Sequence, residues 1–254
     1  MTAEQSARTG EVVIVTGGAK GIGLSYVEAL AEAGYAVVVA DRSDPEPTAQ
    51  ALASAGASAL GMRVDVSDQE ATEALAERVL DRYGRIDVLV NNAGYFSSIV
   101  KKGFDELTIE EWELAYRVNV IGSWLCTKAV VPAMKRQGGG KIINTSSMTV
   151  PSGVPGFLHY VTSKSAVVGY TRALARELGE WGITVNTISP DYIPHDPDYA
   201  GRQPEMAAAI AGQRCLKRDQ TTADMVGTLL HLAGHGSDFV TGQDLWVNGG
   251  RLFH

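Results

Sequence analysis

Residues 16–23 of this 254-residue chain read Thr-Gly-Gly-Ala-Lys-Gly-Ile-Gly. The run follows Glu11-Val-Val-Ile-Val-Thr16, a short β-branched stretch that reads as a buried strand. It precedes Leu24 to Gly34, a helical pattern that ends at glycine. Gly17 allows the tight turn out of the strand, and Gly21 lets the backbone approach a pyrophosphate. Gly23 permits close packing of helix on strand. The helix start offers free N–H groups to an anion, with Lys20 and Ile22 in the same cradle. A lone glycine-rich turn says little; its seat between strand and helix gives it force.

The same alternation continues along the chain. Ala36 to Ala40, Ala59 to Val64, Ile86 to Val90, Lys141 to Thr145, Thr184 to Ser189 and Gln243 to Val247 read as further strands. Helical patterns fall at Gln69 to Tyr83, Leu107 to Gln137 (one or two helices), Tyr160 to Glu180 and Ala223 to Leu232. Apolar strands alternating with helices imply a parallel sheet covered on both faces. The fold class is therefore α/β: a Rossmann-like, doubly wound, mainly seven-stranded parallel sheet with helices on both faces. No linker or repeat divides the chain, so residues 10–254 are expected to form one domain behind a loose polar tail at 1–9. Pro190 to Arg214, with prolines at 190, 194, 197 and 204, is the one long irregular stretch. Within it, about 191–214 is expected to be a substrate loop, because long loops in compact domains usually carry function. Met206 and Ile210, one helical turn apart, could give it an apolar lid face.

Charge and composition narrow the function. A formal net charge of −7 argues against a nucleic-acid surface. No run of about 18 apolar residues suggests a membrane span. Two cysteines, Cys126 and Cys215, make neither a disulfide framework nor metal-ligand spacing with the five histidines, so no metal is expected. A reducing cytoplasm is the natural setting.

Asp41 closes the second strand, where an acid can accept hydrogen bonds from an adenosine ribose and would repel a 2′-phosphate. Its plainer reading is a strand-end turn acid. Lys20 and Arg42 point the other way, since both could meet an extra phosphate; the acid holds the selective position, so NAD is expected over NADP. Asp65, with Val66 after the third strand, could receive an adenine amino group or simply start the next helix; both readings stand. Tyr160 and Lys164 lie four apart, on one helix face. A nearby ammonium favours the phenolate and lowers a pKa that is ordinarily about 10. Such a pair can give or take a hydroxyl proton, though the spacing alone also occurs on plain solvated helices.

Taken together, TGGAKGIG at 16–23, Asp41, Asp-Val at 65–66, Asn-Asn-Ala-Gly at 91–94, Asn119, Thr-Ser-Ser at 145–147 and Tyr-Val-Thr-Ser-Lys at 160–164 agree in order and spacing with one family. The chain resembles the short-chain dehydrogenases/reductases in their compact form, from about Gly10 to the C-terminus. The resemblance implies that Tyr160 is the general acid/base and that Lys164 lowers its pKa and holds the nicotinamide ribose. It implies that Ser147 steadies the reacting oxygen, with Ser146 facing away. It has Asn119 kink its helix to hold a water beside Lys164. It has Asn91, Asn92, Ala93 and Gly94 pack beside the cofactor and support the sheet, and places Pro190 and Ile193 by the nicotinamide. A homotetramer is usual for the family.

Two departures stand out. Where Pro-Gly and a nearby threonine are usual, this chain has Pro190-Asp191 and His195. The carboxamide clamp could therefore be rebuilt. The substrate wall is expected from Tyr95, Phe96, Met148, Thr149, Val150, Val154, Phe157, His159 and Tyr192, an apolar and aromatic set with few charges. Ser147 and Tyr160 complete the substrate contacts. The reading is an NAD-dependent oxidoreductase for a hydrophobic, aromatic or cyclic secondary alcohol or its ketone. Within the family the alternative is an NADP-dependent reductase of 3-oxoacyl groups on acyl carrier protein, which Asp41 and Pro132 disfavour. The alternative from another class, a cofactor-sensing protein without catalysis, has no need of the tyrosine–lysine pair.

Overall fold

The computed structural model describes residues 10–194 and 204–254. The expected tail at 1–9, His195 and the middle of the expected substrate loop lie outside the described residues. Seven strands make one sheet: β1 Val12–Thr16, β2 Ala36–Asp41, β3 Ala59–Arg63, β4 Val88–Asn91, β5 Gly140–Thr145, β6 Ile183–Pro190 and β7 Asp244–Val247. Their order is β3-β2-β1-β4-β5-β6-β7, and every pairing is parallel. The order reverses between β1 and β4. At such a switch point the connections diverge to opposite faces and leave a crevice at the carboxyl edge.

Successive strand residues point to opposite faces, and the core divides accordingly. Val12 and Ile14 of β1 and Val38 of β2 face one layer of helices: α3 Gln69–Tyr83, α5 Ser123–Gln137 and α7 Leu158–Leu178. Val13 and Val15 of β1 and Val37 and Val39 of β2 face the other layer: α1 Gly21–Glu32, α2 Glu46–Ser54 and α9 Ala223–Ala233. Burial on both faces explains why the inner strands β1, β2 and β4 read as continuous apolar runs rather than alternating ones.

Three features of the helices differ from the sequence expectation. The helix α2 stands where none was expected; Pro45 and Pro47 sit at its start, where the missing N–H is harmless. A ten-residue helix, α8 Pro204–Gln213, occupies the end of the stretch expected to be irregular. Its only proline is the first residue, so nothing interrupts its hydrogen-bond ladder. Finally, Leu107 to Gln137 holds α4 Ile109–Tyr116, a π-helical segment at Arg117–Gly122, and then α5. Thr108 and Glu111 form a capping box at the start of α4. No helix of the described residues is long and apolar enough to cross a membrane.

Candidate active site

The glycine loop leaves β1 directly at the switch point. Gly17 has φ +65°, and a Cβ there would lie 2.9 Å from the Ala93 Cα. A Cβ on Gly23 would strike the Gly17 carbonyl oxygen directly after β1, so glycine lets the helix close on the strand end as expected. Gly21 has φ +57° and faces open space. The helix α1 has no side-chain cap and no acid in its first turn, which leaves its leading N–H groups available to an anion. A dinucleotide pyrophosphate fits this cradle.

The neighbouring acids differ in employment. Asp41 is buried; its Oδ2 accepts the Ala19 N–H at 3.1 Å and its Oδ1 the Ser43 N–H at 2.8 Å. It braces the loop while each oxygen retains a lone pair for a ribose. Asp65 spends Oδ1 on the Ser67 N–H and hydroxyl, at 2.9 and 2.7 Å. The Ser67 hydroxyl bond is the main cause that holds its carboxyl below the usual range. Lys20 and Arg42 are exposed at the same edge. Val66 packs on the π-helical segment, where a Cβ on Gly122 would strike it at 2.7 Å. Ile22 and Ile193 pack on one apolar layer.

The asparagine pair divides. Asn92 Nδ2 donates to the Thr16 and Gly17 carbonyls, both at 3.1 Å, and so holds the glycine loop. Asn91 turns away from the loop: its Nδ2 donates to Asn144 Oδ1 at 2.9 Å and Thr127 Oγ1 at 3.2 Å. Of the two roles expected of Asn91, the structure shows the support of the sheet, as a sheet-to-α5 tie.

Gly94, Asn119 and Lys164 converge. A Cβ on Gly94 would come within 3.3 Å of Asn119 Oδ1 and 3.5 Å of Lys164 Nζ. Asn119 lies in the π-helical segment, a departure from α geometry that recurs at functional sites. Its Oδ1 accepts the Tyr95 N–H at 2.7 Å, and its Nδ2 donates to Ser163 Oγ at 2.9 Å. Lys164 is 4% exposed and donates to the Thr145 carbonyl at 2.7 Å. Burial lowers its pKa from 10.5 to about 8. Its Nζ stands 5.9 Å from the centre of the Tyr160 ring. Among the described residues it makes no ion pair.

The two serines after β5 face different ways. Ser146 Oγ donates to the Lys164 carbonyl at 2.9 Å, a structural bond on the helix side. Ser147 Oγ accepts from Thr149 instead, through both its N–H and its hydroxyl. Thr149 opens the short helix α6, Thr149–Ser152. Tyr160 itself sits in an apolar cluster with Ile99 and Phe157, against which Tyr95, Phe96, Tyr192 and Met206 pack. The Phe96 ring lies 5.0 Å from that of Tyr160.

Asp191, the departure after β6, is not a gap in the site but its buried strut. Its Oδ2 accepts from Arg214 Nε and Nη2 at 3.1 and 2.9 Å. Its Oδ1 accepts from Arg251 Nη1 at 2.5 Å. The Asp191 and Arg214 side chains are each only 2% exposed. Arg214 also donates to the Tyr192 and Arg218 carbonyls, and Gln220 Oε1 accepts the Asp191 N–H. The strut joins the two ends of the 191–214 stretch to the C-terminal tail. Arg214, Gln220 and Arg251 carried no signal in the sequence, because each matters through a partner distant along the chain.

Fold and site together define a class: doubly wound oxidoreductases that work with a nicotinamide cofactor. Residues 5–251 match the family model described as enoyl-(acyl carrier protein) reductase. The chain belongs to the short-chain dehydrogenase/reductase family. It is 36% identical over 260 residues to the short-chain reductase protein NovJ of Streptomyces niveus, covering 98% of this chain and 97% of the relative. It is 34% identical to the 3-oxoacyl-[acyl-carrier-protein] reductase FabG of Staphylococcus aureus, covering 93% and 96%. A putative short-chain alcohol dehydrogenase from Sinorhizobium meliloti 1021 superposes with TM-score 0.89 at 30% identity, covering 96% of each chain.

Proposed function

We propose that residues 10–254 act as one catalytic domain that interconverts a hydrophobic secondary alcohol and its ketone with NAD. The observation that carries this reading is Lys164. A buried ammonium without a carboxylate partner among the described residues is costly, and such groups cluster at functional sites.

The glycine loop at 17–23 would hold the pyrophosphate and Asp41 the adenosine ribose. Asn92 and Ala93 would brace that loop, and Ile193 would border the ring. A bound nicotinamide supplies the hydride acceptor or donor. Tyr160 Oη takes the proton from the alcohol oxygen during oxidation and returns it during reduction. The positive charge on Lys164 favours the phenolate form that accepts this proton. Asn119 ties the Tyr95 backbone to Ser163, on the helix that carries the pair. Ser147 holds the reacting oxygen. Tyr95, Phe157 and Tyr192 form the aromatic wall that favours an apolar substrate and excludes water.

Absorbance of NADH and NADPH, followed over aromatic, cyclic and acyl-thioester substrates, tests the reading. Tyr160→Phe should lower kcat by about 10²-fold or more. Near-normal turnover in that variant would refute the assignment. The relatives named for 3-oxoacyl-[acyl-carrier-protein] reduction, with exposed Lys20 and Arg42 beside the site, favour a second reading. It predicts a preference for NADPH and a β-ketoacyl thioester in the same assay. For assembly we propose a cytoplasmic homotetramer. Exposed Leu114, Ile121 and Trp124 along α4 to α5, and Phe253 in the tail, offer the apolar surface for it.

A further inference from the structure

Thr149 was expected in the substrate wall, yet both of its polar donors are spent on Ser147. The Thr149 N–H reaches Ser147 Oγ at 3.2 Å and the Thr149 Oγ1 at 3.0 Å. A serine hydroxyl has two lone pairs and one proton. The backbone N–H can only donate, so one lone pair of Ser147 is committed whatever the hydroxyl rotors do. The Thr149 hydroxyl donates as well, which fills the second lone pair. Ser147 then retains nothing but its own O–H for any third partner.

The surroundings keep Ser147 from escaping this arrangement. The Ser146 N–H donates to the Ile188 carbonyl at 2.9 Å and the Met148 N–H to the Pro190 carbonyl at 3.0 Å. The backbone on both sides of Ser147 is therefore tied to β6. Ser146 Oγ is bound to the Lys164 carbonyl, so the two serines cannot exchange roles without breaking a buried bond. Ser147 is itself buried. Only the side-chain rotor of Ser147 remains to be set, and Thr149 meets it from two directions.

We infer that Thr149 is a positioning residue that fixes the polarity of the Ser147 hydroxyl, making Ser147 a one-way donor to the reacting oxygen. This rests on the oxidoreductase reading above. A donor aimed at a ketone oxygen stabilises the negative charge that develops there as the carbonyl is reduced. On the alcohol, the same donor occupies an oxygen lone pair and leaves the alcohol proton for Tyr160. A Ser147 free to rotate could instead accept that proton's hydrogen bond and draw it away from the phenol oxygen. Thr149 thus selects one of two proton arrangements without touching the substrate.

The test is a double-mutant cycle on the full chain, using a substrate and cofactor that the wild type turns over. Thr149→Val removes the hydroxyl donor and keeps both the β-branched shape and the N–H. It should lower kcat about tenfold, ~1.4 kcal/mol on the barrier, with the KM for cofactor unchanged. Thr149→Ser should return kcat to within about twofold of wild type. In the Ser147→Ala background, Thr149→Val should have almost no further effect, because the group it orients is gone. Equal losses in both backgrounds would show a merely structural role and overturn the inference. So would an unchanged kcat in Thr149→Val, or failure of serine to rescue. A wild type with no turnover on any alcohol or ketone would overturn this inference together with the reading beneath it. An active wild type whose cycle shows no coupling would overturn this inference alone.

Discussion

The Asp191 strut yields the sharpest stability prediction. Asp191→Ala removes the carboxylate and leaves two guanidinium groups behind. They will not suffer equally. The Arg251 side chain is 14% exposed and can turn toward water. The Arg214 side chain, at 2%, cannot. Removing one member of a buried ion pair commonly costs about 3–5 kcal/mol. Arg214 keeps its bonds to the Tyr192 and Arg218 carbonyls, which places the expected loss at the low end, about 3 kcal/mol. At roughly 2–4 °C per kcal/mol for a chain of this size, the Tm should fall by about 6–12 °C. Urea melts at fixed protein concentration, read by fluorescence, measure this without adding salt that would screen the pair. A second variant separates charge from packing. Asp191→Leu combined with Arg214→Met should recover most of the loss, since apolar groups often replace a buried pair without penalty. A loss under about 1 kcal/mol for Asp191→Ala would refute the argument that Arg214 depends on it. A double variant as unstable as the sum of its singles would refute it too.

Three further outcomes are expected. Burial lowers the Lys164 pKa from 10.5 to about 8, so the folded chain sheds this proton at lower pH than the unfolded chain. Wild-type stability should therefore rise between pH 8 and 10.5, where the unfolded state binds more protons. Lys164→Met should be more stable than wild type at pH 7, with an advantage that shrinks across that window; urea melts at several pH values would show it. Asp41→Ala should reduce the preference of kcat/KM for NAD over NADP, with Arg42 and Lys20 assisting the extra phosphate; a wild type that already favours NADP would contradict the weight placed on the acid. Light scattering at micromolar concentration should give a tetramer mass, and a monomer would leave Leu114, Ile121 and Trp124 without the proposed role.

Much of the fold was legible because the strands are buried on both faces. Val12 to Val15 and Val37 to Val39 have no solvent side, so apolar runs bounded by glycine or acid identify them. The helix α2 escaped notice because Pro45, Pro47 and a polar composition resemble a loop, although both prolines are harmless at a helix start. The glycine loop and the Tyr160–Lys164 spacing were readable because each depends on neighbours in sequence. The Asp191 strut was not, because its partners lie 23 and 60 residues away. Thr149 illustrates the finer limit. Its position next to the site was legible, but which atom it serves depends on a turn geometry no pattern encodes.

The π-helical segment at Arg117–Gly122 bears on how chain length is constrained here. A π turn holds one more residue than the turn it replaces, and each α-helical residue advances the helix by about 100°. Deleting one residue from this stretch would let α4 and α5 merge into a continuous, locally more regular helix. Asn119 would then rotate off Tyr95 and Ser163, while every residue type and nearly every propensity stayed the same. The site is thus held by a surplus residue that the helix itself would discard. Residue count at 117–122 therefore sets where Asn119 points, independently of which residue types fill the segment.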